Sequence, residues 1–203
     1  MPALITNTQN KQLETGLKKA YSTINQALLL YERENGQPIT PDAASQSVKP
    51  ALMKYITTVK DCGKGTTGDV SKDCIPNNNY VTNPDDKKEI YKTYNGNNNI
   101  EMAYFDDGQF VINDGMLVLI ENFGTKVYIS VDVNGYNKKP NRLGQDLFMF
   151  QINNDGHLLP MGAEGTDRYG ETYCSTASNS TLNGASCTAK ALHDKDFFKS
   201  LPR

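Results

Sequence analysis

Apolar side chains at Leu13, Leu17, Ala20, Tyr21, Ile24, Ala27, Leu28 and Tyr31 recur mainly in steps of three and four. Gln12, Glu14, Lys18, Lys19, Ser22, Asn25 and Gln26 fall between them. That spacing draws one apolar stripe along an α-helix. No proline interrupts the run after Pro2, and Asn35-Gly36 supplies the left-handed residue that ends many helices. The pattern predicts a helix from Leu4 to Tyr31; about 30 residues would make it roughly 45 Å long. A turn follows at Gln37–Asp42. Thr40 can then cap a second helix with Pro41 in its first position. Val48, Leu52, Met53, Ile56 and Val59 keep its helical step to Lys60, and Pro50 either breaks or restarts it.

From Glu89 the period changes from helical to alternating. Strand candidates are 89–94, 100–105, 109–113, 116–121, 126–133 and 147–152. Asp106-Asp107-Gly108, Asn113-Asp114-Gly115 and Asn122-Phe123-Gly124 read as tight turns, so the strands they join must run antiparallel. Val127, Ile129 and Val131 alternate with Tyr128, Ser130 and Asp132, which turns one face to a core. Leu147–Ile152 carries apolar groups on both faces and belongs centrally or against the helix. Residues 61–86 and those from His157 onward read as loop, closed by a short helix at 189–201. The expected fold is α+β: a long N-terminal helix packed on an antiparallel sheet of about four strands, with long disulfide-tied loops. Residues 1–36 form a helical stem and 37–203 a globular head, together making one domain.

Composition refines this picture. Only 37% of residues are hydrophobic and asparagine runs occur at 77–79 and 97–99, yet 11 Tyr and 7 Phe run through the body. That describes a modest core under polar loops, not a disordered chain. A net charge of −2 offers no general attraction to nucleic acid or an anionic membrane. The four cysteines, at 62, 74, 174 and 187, have neither C-x-x-C spacing nor a histidine at ligand distance, which argues against zinc. Three pairings are open. The local one, Cys62 with Cys74 and Cys174 with Cys187, closes two loops poor in apolar residues and implies an oxidising compartment. The alternative is four reduced cytosolic thiols. No run of 18 apolar residues and no signal peptide occurs; an exported chain without an export signal suggests a helix cut inside a longer one.

These features resemble the type IV pilins and the pseudopilins of type II secretion. The closest detail is Val131-Asp132-Val133-Asn134-Gly135-Tyr136 followed by Pro140-Asn141-Arg142-Leu143-Gly144-Gln145-Asp146-Leu147-Phe148, a D-x-N-G…P-N…G-x-D-x-F pattern. Pro2-Ala3-Leu4-Ile5 looks like the point where that family's membrane-embedded half helix gives way to its soluble half. The family's Gly/Phe-x-x-x-x-Glu processing site would lie upstream. The resemblance covers the helix and residues 109–162. It implies a non-catalytic filament subunit whose partners are other pilin or pseudopilin subunits. It also implies residence in the inner membrane, through a segment outside this chain, before assembly at the periplasmic or outer surface. No nucleic-acid partner is expected.

Candidate chemistry is sparse. Asp132, Asn134, Asn137, Asn141 and Asp146 present oxygen ligands across one loop and are candidate calcium ligands, an idea the pseudopilin resemblance supports. The alternative is Asx side chains bonding their own loop backbone. No G-x-S-x-G, P-loop or H-E-x-x-H occurs. His157 follows a turn. Ser175, Ser178, Ser180 and Ser186 lack an evident base. Glu164, Asp167 and Glu171 are the remaining carboxylates to weigh for glycoside chemistry. No enzyme activity is expected. The alternative function is a surface-binding or adhesin module in which Tyr91, Tyr94, Tyr104, Tyr136, Tyr169 and Tyr173 stack on a glycan or protein ligand.

Overall fold

The computed structural model describes residues 2–42, 48–69 and 71–202, with side chains from Thr8 onward among the helical ones. Helix α1 spans Pro2–Asn35 and closes where Gly36, at φ 74°, donates its N–H back to the Glu32 carbonyl at 2.8 Å. Helix α2 spans Val48–Tyr55, with Pro50 inside its first turn, where a missing N–H breaks no helical bond. The expected start of α2 at Thr40-Pro41 is instead a turn, and residues 43–47 lie outside the described residues. Val59 and Lys60 do not continue this helix. They belong to strand β1, Thr58–Asp61.

The sheet has six strands, not about four. They run in sequence order, each antiparallel to the next: β1, then β2 Gly108–Ile112, β3 Leu117–Phe123, β4 Lys126–Asp132, β5 Leu147–Ile152 and β6 Leu158–Pro160. The four central strands match the alternating runs. The two additional strands are short edges: β1 exposes three of its four residues, and β6 buries Leu158 and Pro160 over a length of only three. Val59 in β1 is 63% exposed, and β6 ends in a proline after three residues. The expected strands at 89–94 and 100–105 are not strands. Lys92 makes only isolated bridges to Asn99 and Arg142, and Met102–Tyr104 is a 3-10 turn. Scattered backbone bonds, such as Tyr94 N–H to the Asn183 carbonyl at 2.8 Å, join this segment to its neighbours, and Asn95 and Asn98 add side-chain hydrogen bonds to the 176–179 backbone.

Both faces of the sheet are covered. Phe110, Val118, Ile120, Ile129, Phe148 and Phe150 meet Leu17, Ile24 and Leu28 of α1 and Leu52 of α2. The opposite face, with Leu117, Leu119, Leu147 and Met149, is buried under loop residues such as Tyr91, Phe105, Leu143 and Met161. Gly16 sits where α1 passes close to the β4–β5 connection; a Cβ there would lie 3.0 Å from Val133 Cβ. Tyr21 stacks on Phe150, with ring centroids 5.6 Å apart. The closing helix is shorter than 189–201. Helix α3 covers Cys187–His193, and Phe197–Lys199 is a separate 3-10 turn whose Phe197 and Phe198 plug the same core.

Two disulfides form, Cys62–Cys74 and Cys174–Cys187, in the local pairing. The second fastens α3, which is tied to the sheet where Met149 N donates to Thr188 Oγ1 at 3.0 Å. Replacing Cys174 and Cys187 together by serine should lower unfolding free energy by about 2–3 kcal/mol. A urea melt of the double variant against the oxidised parent measures this. Superimposable melts would show that the link contributes nothing.

Candidate functional site

The β4–β5 connection is built around two buried carboxylates. Asp132 ends β4, and its Oδ1 accepts the Asn134 N–H at 3.1 Å and the Gly135 N–H at 2.8 Å. Its Oδ2 accepts the Tyr91 hydroxyl at 2.5 Å. Asp146 precedes β5; its two oxygens take the Asn141 and Arg142 N–H groups at 2.6 and 2.7 Å. Between them the chain passes a cis Lys139–Pro140 bond and a left-handed Asn141 at φ 51°, a conformation asparagine tolerates. Burial pushes Asp132 up to about 6, against its hydrogen bonds from Tyr91 and the loop amides. Burial first, then the neighbouring Asp132 charge, pushes Asp146 up to about 7.

All five candidate calcium ligands lie in or at the ends of this loop; Asp132, Asn134, Asn141 and Asp146 are buried or half-buried, and Asn137 is exposed. Asn134 and Asn141 donate to the Lys139 and Tyr136 carbonyls, while their Oδ1 atoms are buried without a hydrogen-bond partner among the described residues. Both carboxylates bind backbone N–H groups, so the arrangement accounts for the folding of this loop without an ion. The two amide oxygens, together with the outer lone pairs of Asp146, are the donors a cation would find here.

A second carboxylate group was not legible as such. Asp106 and Asp107 read as a turn before a hairpin strand. They instead lead into β2 across from Glu121 of β3, because Gly108 pairs with Ile120. One oxygen of each of the three lies within 4.8 Å of the others. Burial, then the Asp107 and Asp106 charges, push Glu121 up to about 8; burial likewise raises Asp106. Alternation along β3 was the available signal. Glu121 follows Leu117 and Leu119 on one face, so a strand reading places its carboxylate on an otherwise apolar row.

The six tyrosines do not form one platform. Tyr91 and Tyr94 are buried, Tyr94 stacking on Phe197. Tyr104 and Tyr173 flank the Arg168 guanidinium at 5.3 and 5.6 Å, and Tyr136 is half-buried in the β4–β5 loop. Tyr169 alone of the six is well exposed, at 67%. It lines an open depression of about 770 Å³ with Glu164, Glu171, Ser175, Lys190 and His193. Asp167 is committed elsewhere. Although burial opposes ionisation, Lys126 at 2.6 Å and the Tyr128 hydroxyl hold it below the usual carboxylate range. The serine hydroxyls serve local turns: Ser175, Ser178 and Ser180 accept nearby N–H groups and Ser186 donates to the Gly170 carbonyl. His157 is exposed on the β5–β6 turn.

This chain belongs to a family of unknown function, DUF6613, whose model matches residues 3–199 and so spans helix, sheet and closing turn alike. No curated protein and no solved structure matches it. Two disulfides point to an oxidising compartment, periplasmic or extracellular. Among the described residues no helix is long and apolar enough to cross a membrane.

Proposed function

We propose that this protein is a non-catalytic structural subunit of an envelope filament, of the type IV pilus or type II pseudopilus class. Its subunits would reside at the inner membrane before assembly. The observation that carries this reading is the long α1, one side of which is seated on the sheet by Leu13, Leu17, Ile24 and Leu28. Its other side keeps Leu29 and Leu30 exposed, at 54% and 44%, a rod with apolar groups on offer to neighbours. A head-to-tail contact that does not close upon itself generates a filament. The D-x-N-G…P-N…G-x-D-x-F run forms the carboxylate-pegged loop beside the α1 residue Gly16, which supports a shared way of seating the helix. Cysteines placed at Leu29 and at exposed head positions of the gene product in its own cells should give an oxidation ladder of multimers. Monomers alone, in cells that assemble their filaments, would exclude the role.

A second reading, an adhesin displayed on such a filament, is favoured by the Tyr169 depression. An exposed ring beside Glu164, Glu171 and Ser175 has the stacking face and hydrogen-bonding rim that a sugar requires. A glycan array probed with the parent and with Tyr169→Ala distinguishes the two. Ligands lost in the variant support the adhesin, and an array blank for both removes it.

A further inference from the structure

We propose that Asp106, Asp107 and Glu121 hold a hard divalent cation of the calcium type beneath the Cys62–Cys74 loop. Asp106 and Asp107 enter β2 while Glu121 lies near the end of β3, and the ladder fixes their separation. The Asp107 N–H donates to the Ile120 carbonyl at 2.9 Å, and the Asn122 N–H to Asp107 Oδ2 at 3.0 Å. One oxygen from each carboxylate falls within 4.8 Å of the other two, a span that one ion can bridge. Among the described residues no Lys, Arg or His forms an ion pair with any of them.

The independent pointer to a ligand is Glu121 itself. It is 5% exposed, its carboxyl group meets that of Asp106, and its Oε2 is buried with no hydrogen-bond partner among the described residues. A buried carboxylate oxygen without a donor is costly, and natural folds rarely leave one unsatisfied. One shared proton can bridge the Asp106–Glu121 contact; a cation satisfies all three groups together. An all-carboxylate donor set selects a hard ion. Calcium tolerates irregular geometry and one- or two-oxygen binding by each carboxylate, whereas magnesium demands a near-ideal octahedron. The site is separate from the β4–β5 loop: Glu121 pairs with Tyr128 and Leu117 with Asp132, placing the two carboxylate groups at opposite ends of the β3–β4 ladder.

The ion would also lock the first disulfide loop down. Asn77 Nδ2 donates to Asp106 Oδ2, and the Gly65 N–H donates to the Asp106 carbonyl at 2.9 Å. The test uses the oxidised full chain, stripped with chelator and titrated with calcium, magnesium and manganese by calorimetry and thermal melting. One calcium per chain with a saturable rise in Tm of about 5 °C is expected, weaker with magnesium, and absent in Glu121→Gln. Asp107→Asn, at a half-exposed position, gives the same comparison should Glu121→Gln fail to fold. Manganese should broaden the amide resonances of 106–108 and 121–122. No binding at millimolar calcium overturns the assignment, as does a shift that persists in both variants or manganese broadening centred on the β4–β5 loop.

Discussion

Leu17→Ala is expected to destabilise the protein by about 4 kcal/mol, lowering Tm by roughly 10 °C. Leu17 is fully buried at the middle of the α1 stripe, between the sheet and the helix backbone. Removing its branched end takes away apolar burial and leaves a cavity that the flanking strands, tied by ladders on both sides, relax into only partly. Leu29→Ala is the internal comparison. At 54% exposure it should stay within about 0.5 kcal/mol of the parent. Chemical-denaturation curves of the two variants measure both. Equal effects would mean that α1 is not docked by this face, and the rod-on-sheet arrangement behind the proposed function would go with it.

Raising the pH from 5 to 8 in chelator should lower stability by about 4 kcal/mol through Asp132 and Asp146 alone, their share of the fall in Tm being about 10 °C. Asp132 and Asp146 hold their protons in the folded state up to about 6 and about 7, above the ordinary aspartate value of 3.8 that an unfolded chain shows. Between those limits the folded state binds more protons than the unfolded one, so stability falls as pH rises. The contribution is fully present below 3.8 and is lost through the folded values. Lys138 opposes the effect on Asp132, while the buried Tyr91 hydroxyl and the loop amides stay bonded throughout. Glu121 adds a slope of the same sign, so Asp132→Asn isolates the loop. Asparagine can still accept the Asn134 and Gly135 N–H groups and can donate to the Tyr91 oxygen, but it removes the charge that raises Asp146. Its pH profile should be shallower. A parent Tm that is flat or rising between pH 5 and 8 would contradict the buried-pair description.

The pairing of local cysteines and the length of α1 were both legible because each rests on nearest-neighbour chemistry. Helical spacing and a terminal glycine mark α1; short loops poor in apolar residues mark the disulfides. The Asp132–Asp146 loop was legible as a cluster of Asx oxygens, but which partner each takes was not. Tyr91 lies 41 residues before Asp132 in sequence, and only the fold brings its hydroxyl there. Tyr169 and the other tyrosines looked alike in composition. Their division into buried, half-buried and exposed follows from which loop covers which face.

Periodicity along the chain determined the long helix, the four central strands and their antiparallel sense, since local sterics and side-chain alternation suffice for these. The edge strands β1 and β6 were decided only by tertiary structure: β1 shows no apolar alternation, and β6, though Leu158 is buried, is too short for a period to be read. The same holds for Asp106, Asp107 and Glu121. Sequence separates the pair from Glu121 by a full hairpin, and the β2–β3 register alone makes them one charged group. Long-range contact, not local propensity, assembles that carboxylate group.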